Sequence, residues 1–109
     1  MSLDTARTGS PAGRRRVHEA RQRLQHERDT RLAQLGALRE GQGDAVADDL
    51  VAAQRTAVRR ALKDIDAAFA RLEDGSYGMC GGCAKPIPAE RLEILPYARA
   101  CVPCAQRAD

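Results

Sequence analysis

Four cysteines are the residues of this 109-residue sequence best able to do chemistry. They form two C-x-x-C pairs, Cys80-Gly81-Gly82-Cys83 and Cys101-Val102-Pro103-Cys104, separated by 17 residues. One C-x-x-C turn aims two thiolates at the same point, and two such turns complete the sulfur tetrahedron that Zn2+ prefers. The separation is that of a four-cysteine zinc site. Gly78, Gly81 and Gly82 suit knuckles whose amides turn inward and crowd any side chain. The pattern predicts one structural Zn2+ on Cys80, Cys83, Cys101 and Cys104, with no position left open for substrate. Two other uses fit less well. A redox C-x-x-C normally stands singly beside a βαβ pattern, which is missing here, and unrelated free thiols do not explain two matching pairs. His18 and His26 read as surface residues, and Tyr77 and Tyr97 as packing under the cysteine module.

Composition points away from catalysis. The sequence is 43% hydrophobic but 3% aromatic, with no Trp, and alanine supplies 20 of the apolar positions. Alanine brings little area to a core, whereas a buried Leu-sized side chain is worth about 1.5–3 kcal/mol. A chain this small and thin-cored needs a staple. No nucleophile–base pair and no open metal position can be pointed to, so an enzyme is not expected. The net charge is +3, and 16 of the 18 basic residues are arginine. No run approaches the roughly 18 apolar residues of a membrane span, and the first 13 residues have no signal-peptide character. The expected location is cytoplasmic, where thiols stay reduced.

The elements that must carry the cysteines are helical. Val51, Val58, Leu62, Ile65, Phe69 and Leu72 occupy a and d positions of a heptad that Arg55 breaks once, a coiled-coil seam. Val17, Ala20, Leu24, Leu32, Leu35 and Leu38 make a weaker stripe, interrupted by Glu27, Arg28 and Arg31. Gly41-Gln42-Gly43-Asp44 separates the two, with Asp44 as N-cap of the second helix. Asp74-Gly75 supplies its stop, and Ser10-Pro11 starts the first helix with Pro at N1. So short a connection makes the helices antiparallel. The expected fold is mainly α: a flexible tail over 1–13, an antiparallel two-helix coiled-coil hairpin over 14–74 with its tip near 41–49, and a small C4-type zinc finger over 75–109.

Charge marks the tip. Residues 14–40 hold eight arginines against four acids, whereas residues 41–50 hold three aspartates and no base. Asp44 reads first as a helix cap. Asp48 and Asp49 read equally as partner-binding tip residues and as complements to the helix dipole.

Leu72-Glu73-Asp74-Gly75-Ser76-Tyr77-Gly78-Met79-Cys80, then Ile87, Arg91-Leu92-Glu93, Pro96-Tyr97-Ala98 and the second cysteine pair resemble the DksA/TraR family of C4-type zinc-finger transcription factors. The resemblance is close over 72–104 and one of layout before it. It implies a bacterial transcription regulator that binds RNA polymerase and inserts its hairpin into the secondary channel to modulate initiation, often together with guanosine tetraphosphate. The family's tip typically reads Asp-x-x-Asp-x-Ala; here the carboxylates of Asp44, Asp48 and Asp49 stand at a different spacing. The family's last helix usually continues beyond the final cysteine, so the five residues from Ala105 to Asp109 imply a shortened contact there.

Two other readings differ in class. A zinc-ribbon nucleic-acid binder would use Arg14-Arg15-Arg16, but the cysteine module is charge-balanced and lacks a basic, aromatic face, and no sequence-specific DNA binding is expected. A coiled-coil scaffold would associate through the weak first stripe, whereas the intramolecular hairpin predicts a monomer.

Overall fold

The computed structural model describes residues 11–39 and 41–107, and the expected tail lies mostly outside them. Four helices follow in order: α1 (Pro11–Ala37), α2 (Ala45–Asp74), α3 (Ala89–Ile94) and α4 (Val102–Arg107). α1 begins at Pro11, the start that the Ser10-Pro11 pair suggested, so the end drawn for the tail already lies inside the helix. α1 and α2 pack against each other as an antiparallel hairpin, and the molecule extends 59 × 29 × 21 Å. Among the described residues, strand-like pairing is confined to one bridge, Met79 with Pro86.

Local chemistry sets the ends of α2. Asp44 takes an extended conformation, and its carboxylate accepts a hydrogen bond from the Ala47 amide at 2.9 Å, satisfying one of the orphan donors of the first turn. At the other end Gly75 adopts φ 83°, where a side chain would be strained. Asp74 accepts from both the Ser76 amide and hydroxyl, and these bonds hold its carboxyl below the usual carboxylate range.

The seam is filled unevenly. Ala20 and Leu24 of α1 meet Ile65, Ala68 and Leu72 of α2 in one cluster, flanked by Val17, Phe69, Tyr77 and Tyr97. Val58 is also buried. Val51, Leu62 and Phe69 are half-buried, and no described residue between Leu24 and Val58 is buried. Leu32, expected in the stripe, is 45% exposed. Ala68 was outside the heptad yet has no exposure at all, because the cysteine module covers this end of α2 beside α1. The core therefore sits at the module end of the rod, and the tip half is thinly packed.

The polar interruptions are cross-braces. Arg28 pairs with Asp66, and Arg21 with Glu73 at 3.3 Å. Arg55, the break in the heptad, donates through Nη1 to the Leu38 carbonyl at 2.6 Å and the Leu35 carbonyl at 3.4 Å. It thus occupies the end of α1, whose last carbonyls have no helical partner.

Candidate metal centre

The first knuckle hangs from the one-pair bridge. The Cys80 amide donates to the Lys85 carbonyl at 2.8 Å, Ile87 to Gly78 at 2.7 Å, and Ala84 to Cys80 at 2.9 Å. Gly78 at φ 87° and Ala84 at φ 62° make the reversals that close it. The second knuckle is the start of α4, where the Ala105 amide donates to the Cys101 carbonyl at 2.9 Å. The Gly81 amide joins the two by donating to the Arg99 carbonyl at 2.9 Å.

These turns bring the Sγ atoms of Cys80, Cys83, Cys101 and Cys104 within 4.8 Å of one another. The Cys83 and Cys101 sulfurs are 3.8 Å apart. A sulfur tetrahedron around Zn2+ at about 2.3 Å per bond has edges of about 3.8 Å, so the donor set fits that ion. Backbone amides supply the complementary charge: Gly82 and Cys101 each donate to the Cys80 sulfur at 3.3 Å. The Cys101, Cys83 and Gly82 amides lower the Cys80 thiol to about 6. For Cys104 the Arg107 guanidinium, 3.2 Å away, pulls downward, but the thiols of Cys101 and Cys80, desolvation and the Cys83 thiol together outweigh it and push Cys104 up to about 11. Four sulfurs so close cannot all ionise alone, and a dication displacing their protons resolves the conflict. Bound zinc would cross-link both knuckles, with four thiolates and no open coordination position.

Gly82 is where a side chain cannot be added freely. A Cβ there would lie 3.0 Å from the Cys104 sulfur and 3.1 Å from its Cβ. Gly82→Ala is expected to weaken zinc binding roughly 10–100-fold, the usual range for groups supporting a ligand, as read by competition with a chromogenic chelator.

Residues 75–109 match the family model described as the prokaryotic dksA/traR C4-type zinc finger. The solved structure of transcription factor DksA2 from Pseudomonas aeruginosa superposes with a TM-score of 0.51 at 27% identity, over 87% of this chain and 78% of that one. The chain is similar to the DksA/TraR proteins, by family model over its cysteine module and by fold over most of its length. The RNA polymerase-binding transcription factor DksA of Caulobacter vibrioides is 43% identical over 49 residues, 45% of this chain and 34% of that protein. General stress protein 16O of Bacillus subtilis is 44% identical over 41 residues, 38% of this chain and 25% of that protein. The matched part thus spans about a third or less of these two curated relatives. The match to a C4-type zinc finger and the geometry of the four-cysteine cluster agree on one structural Zn2+.

The three tip aspartates do not form one constellation. Asp44 caps α2. Asp48 is half-buried and accepts from the Gly41 amide at 2.8 Å, closing the turn between the helices. Asp49 is exposed and makes no hydrogen bond or ion pair among the described residues. His18 and His26 are exposed and stand outside the thiol cluster.

Tyr77 and Tyr97 pack under the finger as the sequence suggested, but the hydrogen bonds that seat it on the hairpin were not read from the sequence. Arg31 Nη2 donates to the Tyr97 hydroxyl at 3.5 Å, while Arg31 Nε is buried without a hydrogen bond, 3.6 Å from Glu27. Arg71 donates to the Tyr97 and Ala98 carbonyls, each at 3.5 Å, and the Tyr77 hydroxyl to the Pro96 carbonyl at 2.7 Å. Arg91 Nε holds the Ala100 carbonyl at 3.0 Å, one residue before Cys101. The segment from Pro96 to Cys101 is thus tied to both helices at one end and to the metal cluster at the other.

Proposed function

We propose that this chain is a bacterial transcription regulator that binds RNA polymerase and places its hairpin tip in the secondary channel to modulate initiation. The observation that carries the reading is the joint likeness to DksA2 across 87% of the chain, hairpin and finger together. The RNA polymerase-binding role of the Caulobacter relative points the same way. In this reading residues 14–74 form the probe and residues 75–109 the metal-stapled base that sets its angle. No described helix is long and apolar enough to cross a membrane.

Physical layout supports the reading. The 30 residues of α2 carry the tip about 45 Å along the rod at 1.5 Å per residue. The start of α2 presents carboxylates without a neighbouring base until Arg55. Charge delivered into a narrow, poorly hydrated channel acts strongly: a unit pair at 4 Å is worth about 4 kcal/mol at an effective dielectric of 20, against about 1 in bulk water. Asp49 is the tip aspartate with no internal partner, so it is the one we assign to the polymerase. Arg21, Arg23, Arg28 and Arg31 all pair with acidic side chains of the chain itself, so the nucleic-acid reading gains nothing beyond Arg14-Arg15-Arg16.

The test separates binding from output. Asp49→Asn is expected to compete for polymerase as well as the parent protein does, yet to lose most of its effect on initiation in a purified transcription reaction, with or without guanosine tetraphosphate. Asp48→Asn should instead loosen the turn, lowering the melting temperature as well. An unchanged transcription effect for Asp49→Asn would remove the tip from the account.

A further inference from the structure

The hairpin leaves one apolar face without a partner. Val46 and Leu50, in the first two turns of α2, are 77% and 61% exposed, the two most exposed large apolar side chains of the hairpin. Exposed apolar side chains are informative where they run together as a patch. With Ala53 and Ala57, also exposed, they recur at spacings of four, three and four residues, the period of a helix-pairing seam. At 100° per residue this line lies on the side of α2 away from Arg55, whose guanidinium reaches to α1. It is therefore a second seam, distinct from the one that closes the hairpin.

Charge selects what covers it. Asp44, Asp48 and Asp49 stand at the start of α2, and Arg59 and Arg60 ten to sixteen residues further on, with no base from Gly41 to Gln54 and no acid from Leu50 to Lys63. Two copies of this segment laid antiparallel bring the acidic end of each beside the arginines of the other. A parallel pair would set like charges together. The same antiparallel register puts Val46 against Ala57 and Leu50 against Ala53 of the second copy, large against small, as close helix packing requires.

We propose that the protein self-associates through this face, two copies pairing antiparallel along Val46, Leu50, Ala53 and Ala57 of α2. The contact is about 17 Å long at 1.5 Å per residue, which places it among small, transient interfaces. It covers Asp49 on both copies, so the paired form withholds the tip. The pairing itself does not depend on the polymerase reading.

Sedimentation equilibrium of the zinc-loaded full chain from about 10 µM to about 1 mM tests it. The weight-average mass is expected to climb from the monomer value toward twice that value. Raising salt from about 0.05 M to about 0.5 M, which shortens the Debye length, should weaken the association severalfold. Leu50→Asp and Val46→Asp, both changes at solvent-facing positions, should each weaken it at least tenfold with helicity unchanged. Leu32→Asp, on α1, should leave it intact. Arg60→Glu, which removes a base near the acidic end of the second copy, should weaken it. A monomer throughout the range, or association indifferent to Leu50→Asp or to salt, would each overturn the proposal.

Discussion

Removing zinc is expected to unfold the cysteine module while most of the helical signal survives. Beyond Gly75 the described chain has two helices of six residues and a single bridge pair. Helices that short do not stand alone in water. The buried apolar side chains of this part are Cys80, Ile87, Pro96 and Ala98, too few to hold it without a staple. Structural zinc contributes about 10–16 kcal/mol in such modules, more than the whole stability of many domains. α1 and α2 keep 27 and 30 residues in helix and retain their seam. The loss is nevertheless transmitted: once Cys101 is released, the segment held by Arg31, Arg71 and Tyr77 is free, and the Ala20, Leu24 and Leu72 cluster loses Tyr97. Chelation should therefore cost a minor part of the far-ultraviolet helical signal, abolish amide protection at Cys80, Gly81 and Ile87, and lower the melting temperature of what remains. Protection at those amides persisting in metal-free, reduced protein would contradict this.

Leu24→Ala should be the most damaging single change in the hairpin. Leu24 and Ile65 are the largest fully buried side chains, facing each other in the one compact cluster. Large-to-small substitution at such a site costs about 2–5 kcal/mol. For a domain of this size that lowers the melting temperature by at least about 10 °C. Leu32→Ala makes the same chemical change at a side chain 45% exposed, and should shift the midpoint by less than half as much. Equal shifts would mean that the core extends to the tip.

What the sequence displayed were local signals. Two cysteine pairs at zinc spacing, Asp44 before a periodic run and Asp74-Gly75 after it need no knowledge of the rest of the chain, and each appears where its chemistry places it. Uneven filling of the seam was not visible, because a heptad pattern says which residues face a partner but not how large that partner is. Leu32 lies on the predicted stripe yet stays exposed, and Ala68 is buried by a module that periodicity does not describe. Arg31, Arg55 and Arg71 were invisible for another reason. Each donates to oxygens 17 to 66 residues away in sequence, and an arginine in a helix looks the same whether it meets water or a distant carbonyl. Asp48 shows the same ambiguity: its charge suggested the tip, while its bond to the Gly41 amide makes it part of the turn.

The central claim, a zinc-stapled base that holds an acidic hairpin tip inside the polymerase, is tested most directly by cleavage from within. Fe2+ exchanged for the catalytic Mg2+ of RNA polymerase generates hydroxyl radicals that cut any backbone near the active centre. With the zinc-loaded chain bound, cuts are expected within residues 41–50 and nowhere in residues 75–107. Cuts in the cysteine module, or a bound chain left uncut, would contradict the account.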